Sequence, residues 1–329
     1  MWLSGTFRTH RTRRKQFSMS QAPYYVLLNA NAGTANATGV TAEALEALFR
    51  ENGMTAIVDA DKDAGMAVRI ERAMASGAET IVAAGGDGTI TALAASLVGT
   101  KHNLAILPLG TVNALAKDLH VPLVLADAVK SMATSEVRRI DVGEVNGRIF
   151  LHKVVVGLIP GLAAGREKIR GRQDAGAKIG FMRYFFRRLL RAKRMAVVIE
   201  TDTGTRRVER VQAIAVASNS YDEGMGQFFS RQALDRGTLT LYVLSRFTVR
   251  DFLRLTTRML VGNWRSDAAL SVDSVKSVTI NARKDLIKVM FDGEVESLHT
   301  PLQFDIRPLA LSVLVPPVVQ PAQAGVQAA

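Results

Sequence analysis

The sequence predicts two structural classes in one chain: an α/β unit on a doubly wound parallel sheet over residues 21–135, and a β-rich unit of the β-sandwich kind over residues 136–316. Three observations predict this. From Tyr24 onward, short apolar runs alternate with stripes of helical period, the pattern of βα units. After about residue 135 the period becomes that of extended chain, punctuated by hairpin signals. The length of 329 residues also exceeds what one ordinary core organises, so about two domains are expected.

The first unit reads strand by strand. Apolar runs at residues 24–28, 56–58, 80–84 and 104–107 are the parallel strands. Between the first two lies a helix with Leu45, Leu48 and Phe49 on one face, closed by Gly53, where a helix end favours a left-handed residue. Met66, Ile70 and Met74 repeat that stripe before Gly77 stops it, and residues 90–98 read as a third helix. In the second unit, residues 137–145 and 149–156 are strands joined through Asn146-Gly147, a type I′ hairpin signal. Further strands are expected at 196–201, 208–218, 239–244, 277–282, 286–291, 302–306 and 311–315. Two helices interrupt them. Residues 179–194 form one, and the other starts at Thr248, which caps it with Asp251 three residues on and Phe252, Leu253, Leu255, Met259 and Leu260 as its apolar side.

Composition removes several chemistries. With no cysteine, disulfides, thiolate metal sites and cysteine nucleophiles are excluded, and a reducing compartment is the easier setting. The five histidines are scattered without ligand spacing, which argues against a zinc enzyme. A net charge of +12 calls for an anionic partner. Residues 1–20 carry five basic side chains but no apolar stretch behind them, so they read as a disordered basic arm, with Met19 an alternative start. No run is long and apolar enough to span a bilayer, and residues 317–329 read as a disordered tail.

Chemistry concentrates in two loops. The third strand runs into Gly85-Gly86-Asp87-Gly88-Thr89 and then a helix. Adjacent glycines let a ligand approach the backbone, and the N–H groups and dipole at a helix start favour phosphate. Asp87 repels phosphate, so its role would lie on a bridging Mg²⁺ or on nucleotide hydroxyls. There is no Walker lysine. The next strand ends in a second loop, Pro108-Leu109-Gly110-Thr111-Val112-Asn113, followed by Ala114-Leu115-Ala116-Lys117-Asp118-Leu119. Ligands of open α/β sheets sit beyond such strand ends, so one cleft can be lined by both loops. Unliganded glycine-rich turns are the alternative.

These paired motifs resemble the catalytic domain of the diacylglycerol kinase family, with its sphingosine, ceramide and bacterial lipid kinase relatives. That family reads GGDGT and then, roughly twenty residues on, PxGTxNxxA+xL. Asn29-Ala30-Asn31-Ala32-Gly33 is similar to its NPxSG turn, with alanine in the proline place, and Asp292-Gly293-Glu294 matches its DGE. The likeness spans about residues 23 to 316 and implies an N-terminal fold like that of NAD kinase and phosphofructokinase. It implies ATP as phosphoryl donor with Mg²⁺, and nucleotide contacts from Asn29, Gly85, Gly86, Asp87, Gly88, Thr89, Gly110, Thr111 and Asn113. It makes Glu294 the base that accepts the proton of a lipid hydroxyl, with Asp292 orienting it or holding metal. A diacylglycerol-like or sphingoid lipid would be the acceptor, at the inner face of a membrane reached from the cytoplasm, and family members often self-associate as homodimers.

Two departures from the pattern stand out. Where the family has Asn and Glu after GGDGT, this chain has Thr91 and Ala92. Its Asp-Gly segment, associated with a structural Mg²⁺, aligns with Leu234-Asp235-Arg236-Gly237, which leaves Asp235 to join Asp87 as candidate metal ligands. A catalytically silent lipid- or nucleotide-binding protein is therefore one alternative. An NAD kinase-like phosphotransferase is another, although Pro108-Leu109-Gly110-Thr111 differs from that branch's second loop. Between residues 168 and 194 ten basic residues interleave with aromatic and aliphatic ones, and Arg183, Arg187, Arg188 and Arg191 are the candidate contacts to an anionic leaflet. A core-packed helix with a solvated basic face is the plainer reading. No RRM, KH or helix-turn-helix signature accompanies the charge, so nucleic acid is not expected.

Overall fold

The computed structural model describes residues 24–29, 39–157, 183, 187, 193–225 and 230–317. The expected basic arm, the tail beyond residue 317, Ala30 to Gly33, and Arg188 and Arg191 lie outside the described residues.

Four parallel strands open the fold. They are β1 (Tyr24–Leu28), β2 (Ala56–Asp59), β3 (Thr80–Gly85) and β4 (Asn103–Pro108), in the order β2-β1-β3-β4. All six residues of β3 and of β4 are buried, as expected of parallel strands covered on both faces. The crossovers are α1 (Ala42–Glu51), α2 (Met66–Ala75) and α3 (Asp87–Leu97). In α1 the Thr41 hydroxyl caps the Ala44 N–H, and Leu45 and Phe49 fill the core. Two short helices absent from the sequence reading follow, α4 (Ala114–Asp118) and α5 (Leu125–Met132). Only Ala128, Val129 and Met132 of α5 are buried, too few turns to print a clear period.

The β-rich unit is a two-sheet sandwich. β5 (Glu136–Val145) turns into β6 (Arg148–Phe150) through Asn146 and Gly147, both at positive φ, as the Asn-Gly signal requires. The expected strand 149–156 is broken at residues 151–152, where the chain leaves one sheet and enters the other as β7 (Lys153–Gly157). The run 208–218 splits in the same way at Gln212, between β9 (Arg206–Val211) and β10 (Ala213–Ser218). The remaining strands are β8 (Met195–Thr201), β11 (Leu239–Leu244), β12 (Leu270–Val275), β13 (Ser277–Ala282), β14 (Leu286–Phe291), β15 (Glu294–His299) and β16 (Leu302–Val315). Helix α6 (Val249–Val261) carries the expected capping box of Thr248 and Asp251.

An antiparallel sheet, β12-β11-β10-β7-β14-β15, faces β8, β13 and the first half of β16 across a core that includes Phe150, Ile199, Leu241, Val289 and Phe304. The two expected strands 302–306 and 311–315 are one strand, β16, irregular between Arg307 and Leu311. There Leu309 sits at φ 48 and its N–H is held by the buried Asp141 carboxylate at 2.8 Å. Beyond this kink β16 pairs with β4 in parallel, and Leu311, Val313 and Val315 enter the α/β core. A ten-stranded sheet thus runs through both units.

Candidate active site

The first loop owes its shape to where the helix begins. α3 starts at Asp87, three residues earlier than the apolar stripe indicates, so Asp87, Gly88 and Thr89 are its first turn and Gly86, in extended conformation, is its N-cap. First-turn N–H groups have no acceptor within their own helix and face the strand end with the positive pole of the dipole. Gly85 is required by packing, since a Cβ there would lie 2.6 Å from the Thr89 hydroxyl oxygen. That hydroxyl accepts a bond from the Asn29 amide at 2.9 Å, which ties the end of β1 to the loop.

The second loop is locked onto the first. Asn113, left-handed at φ 51 and buried, accepts the Gly110 N–H at 2.9 Å and donates its amide to the Gly110 carbonyl at 2.8 Å. The Asp87 carboxylate accepts the N–H groups of Asn113 at 3.0 Å and Ala114 at 2.7 Å, capping α4. Gly86 and Gly110 meet face to face, and a Cβ on Gly110 would lie 2.7 Å from the Gly86 Cα.

The third contributor arrives from the sandwich. β14 and β15 are joined by Asp292 and Gly293, at φ 45 and 104, a two-residue turn of the Asp-Gly kind. The Asp292 carboxylate accepts the N–H groups of Leu151, His152 and Lys153 at 2.7, 2.9 and 3.0 Å, and the Thr91 hydroxyl lies 3.4 Å away. Burial pushes this carboxyl above the usual carboxylate range, opposed by the three N–H donors. Glu294, exposed at the start of β15, lies over the first turn of α3; a Cβ on Gly88 would stand 3.1 Å from its Oε1.

A cavity of about 570 Å³ lies between these elements. Asn29, Gly86, Asp87, Gly88, Thr89, Gly110, Thr111, Asp292 and Glu294 line it, whereas Gly85 and Asn113 support it from behind. Ala92, noted from sequence only as a departure from the family pattern, lines it too, as do Met66 and Val112, which were not singled out as site residues; Met66 reads in the sequence simply as part of a core stripe.

A buried ion network backs the site, and the sequence gives no sign of it. Asp118, closing α4, pairs with Arg231 at 2.7 Å; the guanidinium is 1% exposed and also donates to the carbonyls of Leu151 and Ser218. Burial and the neighbouring Arg231 push the His152 imidazole well below its ordinary value, so it is neutral. For the same two reasons Lys153 is lowered to about 8, against the pull of Asp292 and Asp118.

The metal expectations fare differently. Asp235 is exposed and does not line the cavity, so the structure does not bring it to Asp87. In the segment expected to hold a structural cation, Arg236 donates its N–H to Asn219 and its guanidinium to Ser220, and the Gly237 N–H goes to Asp141. Those residues satisfy one another and do not fit a metal ion. No group of three or more His, Asp or Glu able to hold one occurs among the described residues. Of the four candidate membrane arginines, Arg183 and Arg187 are described, as exposed helical residues.

Comparison with known proteins agrees with this architecture. Residues 23–145 match the diacylglycerol kinase catalytic domain, and residues 168–315 match the YegS C-terminal NAD kinase beta sandwich-like domain. A Pseudomonas syringae pv. tomato protein named "Probable lipid kinase YegS-like" is 31% identical over 282 residues, covering 81% of this chain and 86% of that protein. A diacylglycerol kinase of Staphylococcus epidermidis is 24% identical over 278 residues, or 82% and 84% of the two chains. Among solved structures, a diacylglycerol kinase from Bacillus anthracis str. Sterne superposes with a TM-score of 0.64 at 22% identity, over 90% of this chain and 98% of its own. A second structure, titled "Crystal structure of a putative diacylglycerol kinase from Bacillus anthracis str. Sterne", reaches 0.69 at 24% identity, over 91% and 100%. With both halves matched and the strand order and glycine loops in place, the chain belongs to the diacylglycerol kinase catalytic-domain family, among its YegS-like lipid kinases.

Proposed function

We propose that this protein transfers the γ-phosphoryl group of ATP to the hydroxyl of a diacylglycerol-like or sphingoid lipid, with Glu294 as general base. The observation that carries the reading is the position of the Glu294 carboxylate over the first turn of α3, at the mouth of the cavity between the two glycine loops. The polyphosphate would lie on the N–H groups of residues 87–89 and beside Thr111, where Gly110, held by Asn113, leaves room for it to approach. Mg²⁺ would enter with the nucleotide, bound mainly by phosphate oxygens and water as that ion commonly is, and would neutralise charge developing on the phosphates. Glu294 takes the hydroxyl proton as the lipid oxygen forms its bond to the γ-phosphorus, and the bond from that phosphorus to the bridging oxygen breaks to release ADP. Asp292 does not react in this scheme; anchored by three backbone N–H groups, it fixes the turn that aims Glu294.

Incubation with γ-labelled ATP, Mg²⁺ and mixed vesicles containing diacylglycerol, followed by lipid extraction, tests the reading. Label in the organic phase is expected. Label on added NAD would favour the NAD kinase-like alternative, and no label anywhere would favour a silent binding protein.

A further inference from the structure

Helix α6 is amphipathic twice over. One side, with Leu255 and Met259, packs on the aromatic cluster Tyr221, Tyr242 and Trp264 over the outer face of the six-stranded sheet. A second line, Val249, Leu253, Thr256 and Leu260, follows the i, i+4, i+7, i+11 spacing of a single helix face; Leu253, Thr256 and Leu260 are exposed and Val249 is half-buried. None of the 13 residues of α6 is buried, and Leu253, Leu260 and Val261 are 56%, 56% and 65% exposed. The patch continues past the helix end, because Gly262 abuts the backbone of Met225, whose side chain is 83% exposed; a Cβ on Gly262 would lie 2.7 Å from the Met225 N. Single exposed leucines need no explanation, but several large apolar side chains exposed together along one helix and beyond its end do.

We propose that this face of α6, with Met225, is where the protein docks on an anionic bilayer. Charge selects that occupant over a second protein surface. Residues 246–267 carry five arginines, 246, 250, 254, 258 and 265, against two aspartates, 251 and 267. Both aspartates are engaged by Arg254, and Asp267 also by Arg258, while Arg250, one turn before Leu253 on α6, and Arg246, just before the helix, are exposed. The neighbouring Glu223 carboxylate accepts the Arg265 N–H at 2.7 Å. An apolar ridge flanked by exposed cations, with no acidic partner among the described residues, is what an interfacial helix presents to headgroups and upper acyl chains. The surface is also placed for delivery to the site. Beneath α6, Tyr221 underlies the Lys153 ammonium at 4.9 Å, and the Lys153 backbone holds the Asp292 turn that presents Glu294. The choice of a bilayer as occupant rests on the lipid-kinase reading.

Flotation with vesicles of phosphatidylglycerol and phosphatidylcholine tests the docking without requiring turnover. The double variant Leu253→Glu with Leu260→Glu should bind more than roughly tenfold more weakly, as two leucines lose their burial. Added salt should weaken the wild type. Val208→Glu, at an equally exposed valine on β9, serves as control and should bind normally. The double variant should keep the thermal midpoint of the wild type and its rate on a water-soluble short-chain diacylglycerol, while losing rate on vesicles. Unchanged flotation of the double variant overturns the docking. So does unchanged flotation with a change from dimer to monomer in sedimentation velocity, which assigns the patch to a second copy. A wild type that floats through α6 but phosphorylates no lipid leaves the docking standing and sinks the kinase reading instead.

Discussion

Gly88 and Gly110 both line the cavity, but an added methyl would meet different obstacles at the two. At Gly110 an added Cβ meets backbone, the Gly86 Cα, and the Asn113 side chain that locks the loop, each at 2.7 Å. Gly110→Ala should therefore force the loops apart, costing about 2 kcal/mol of stability and most of the nucleotide affinity, read by thermal unfolding and calorimetric titration. At Gly88 the only neighbour among the described residues is the far end of the Glu294 side chain, 3.1 Å away. Gly88→Ala should leave the fold and nucleotide affinity nearly intact but displace the carboxylate, lowering kcat by about tenfold to a hundredfold. These glycines were legible in the sequence because a close backbone approach can be met by little else. The work of Asp87 was not. Its carboxylate bonds the backbone of Asn113 and Ala114, 26 and 27 residues away, and a bond to a backbone N–H leaves no partner side chain to notice.

At the scale of elements, alternation of apolar runs revealed the parallel strands and the two glycine loops at their ends, while β12 and β15 went unread. β15 carries Glu294, Glu296, Ser297 and His299 along an edge with little apolar pattern, although the two-residue Asp292-Gly293 turn was a usable hairpin signal. Arg231 was invisible for another reason. It lies outside any regular element, and only the closed fold sets it against Asp118 at the end of α4. Arg231→Leu should leave that carboxylate buried without its partner and cost roughly 3–5 kcal/mol; adding Asp118→Leu should restore part of the loss, measured in a double-mutant cycle by urea unfolding. α6 carries a pH signature. Two hydrogen bonds from Arg254 hold the buried Asp267 carboxyl down to about 2. The folded state thus holds that proton less tightly than the unfolded chain. The resulting stabilisation is complete above about pH 4, the unfolded value, and disappears as pH falls toward 2. Asp267→Asn should lower the thermal midpoint at neutral pH and reduce its fall through that acid range.

For the whole molecule, the organisation into an α/β half and a β-rich half could be read from the change of period, but the way they are joined could not. β16 was legible as two strands because residues 307–310 interrupt its apolar alternation. Its continuation past the Asp141-held kink, into pairing with β4, depends on contacts far apart in sequence. Since Leu311, Val313 and Val315 fill the α/β core while Leu302 and Phe304 fill the sandwich, the two halves should unfold together. In a Trp2→Phe background, Trp264 fluorescence reports the sandwich side, and it should coincide with loss of helical circular dichroism in a single transition. The same joining brings Glu294 from the sandwich to the first glycine loop of the α/β half, and the proposed chemistry depends on that meeting. The most direct measurement is phosphoryl transfer by Glu294→Gln alongside its affinity for ATP. The variant is expected to bind ATP as the wild type does while transfer to lipid falls by about 100-fold to 10,000-fold. Transfer at the wild-type rate would contradict the assignment of Glu294 as the base.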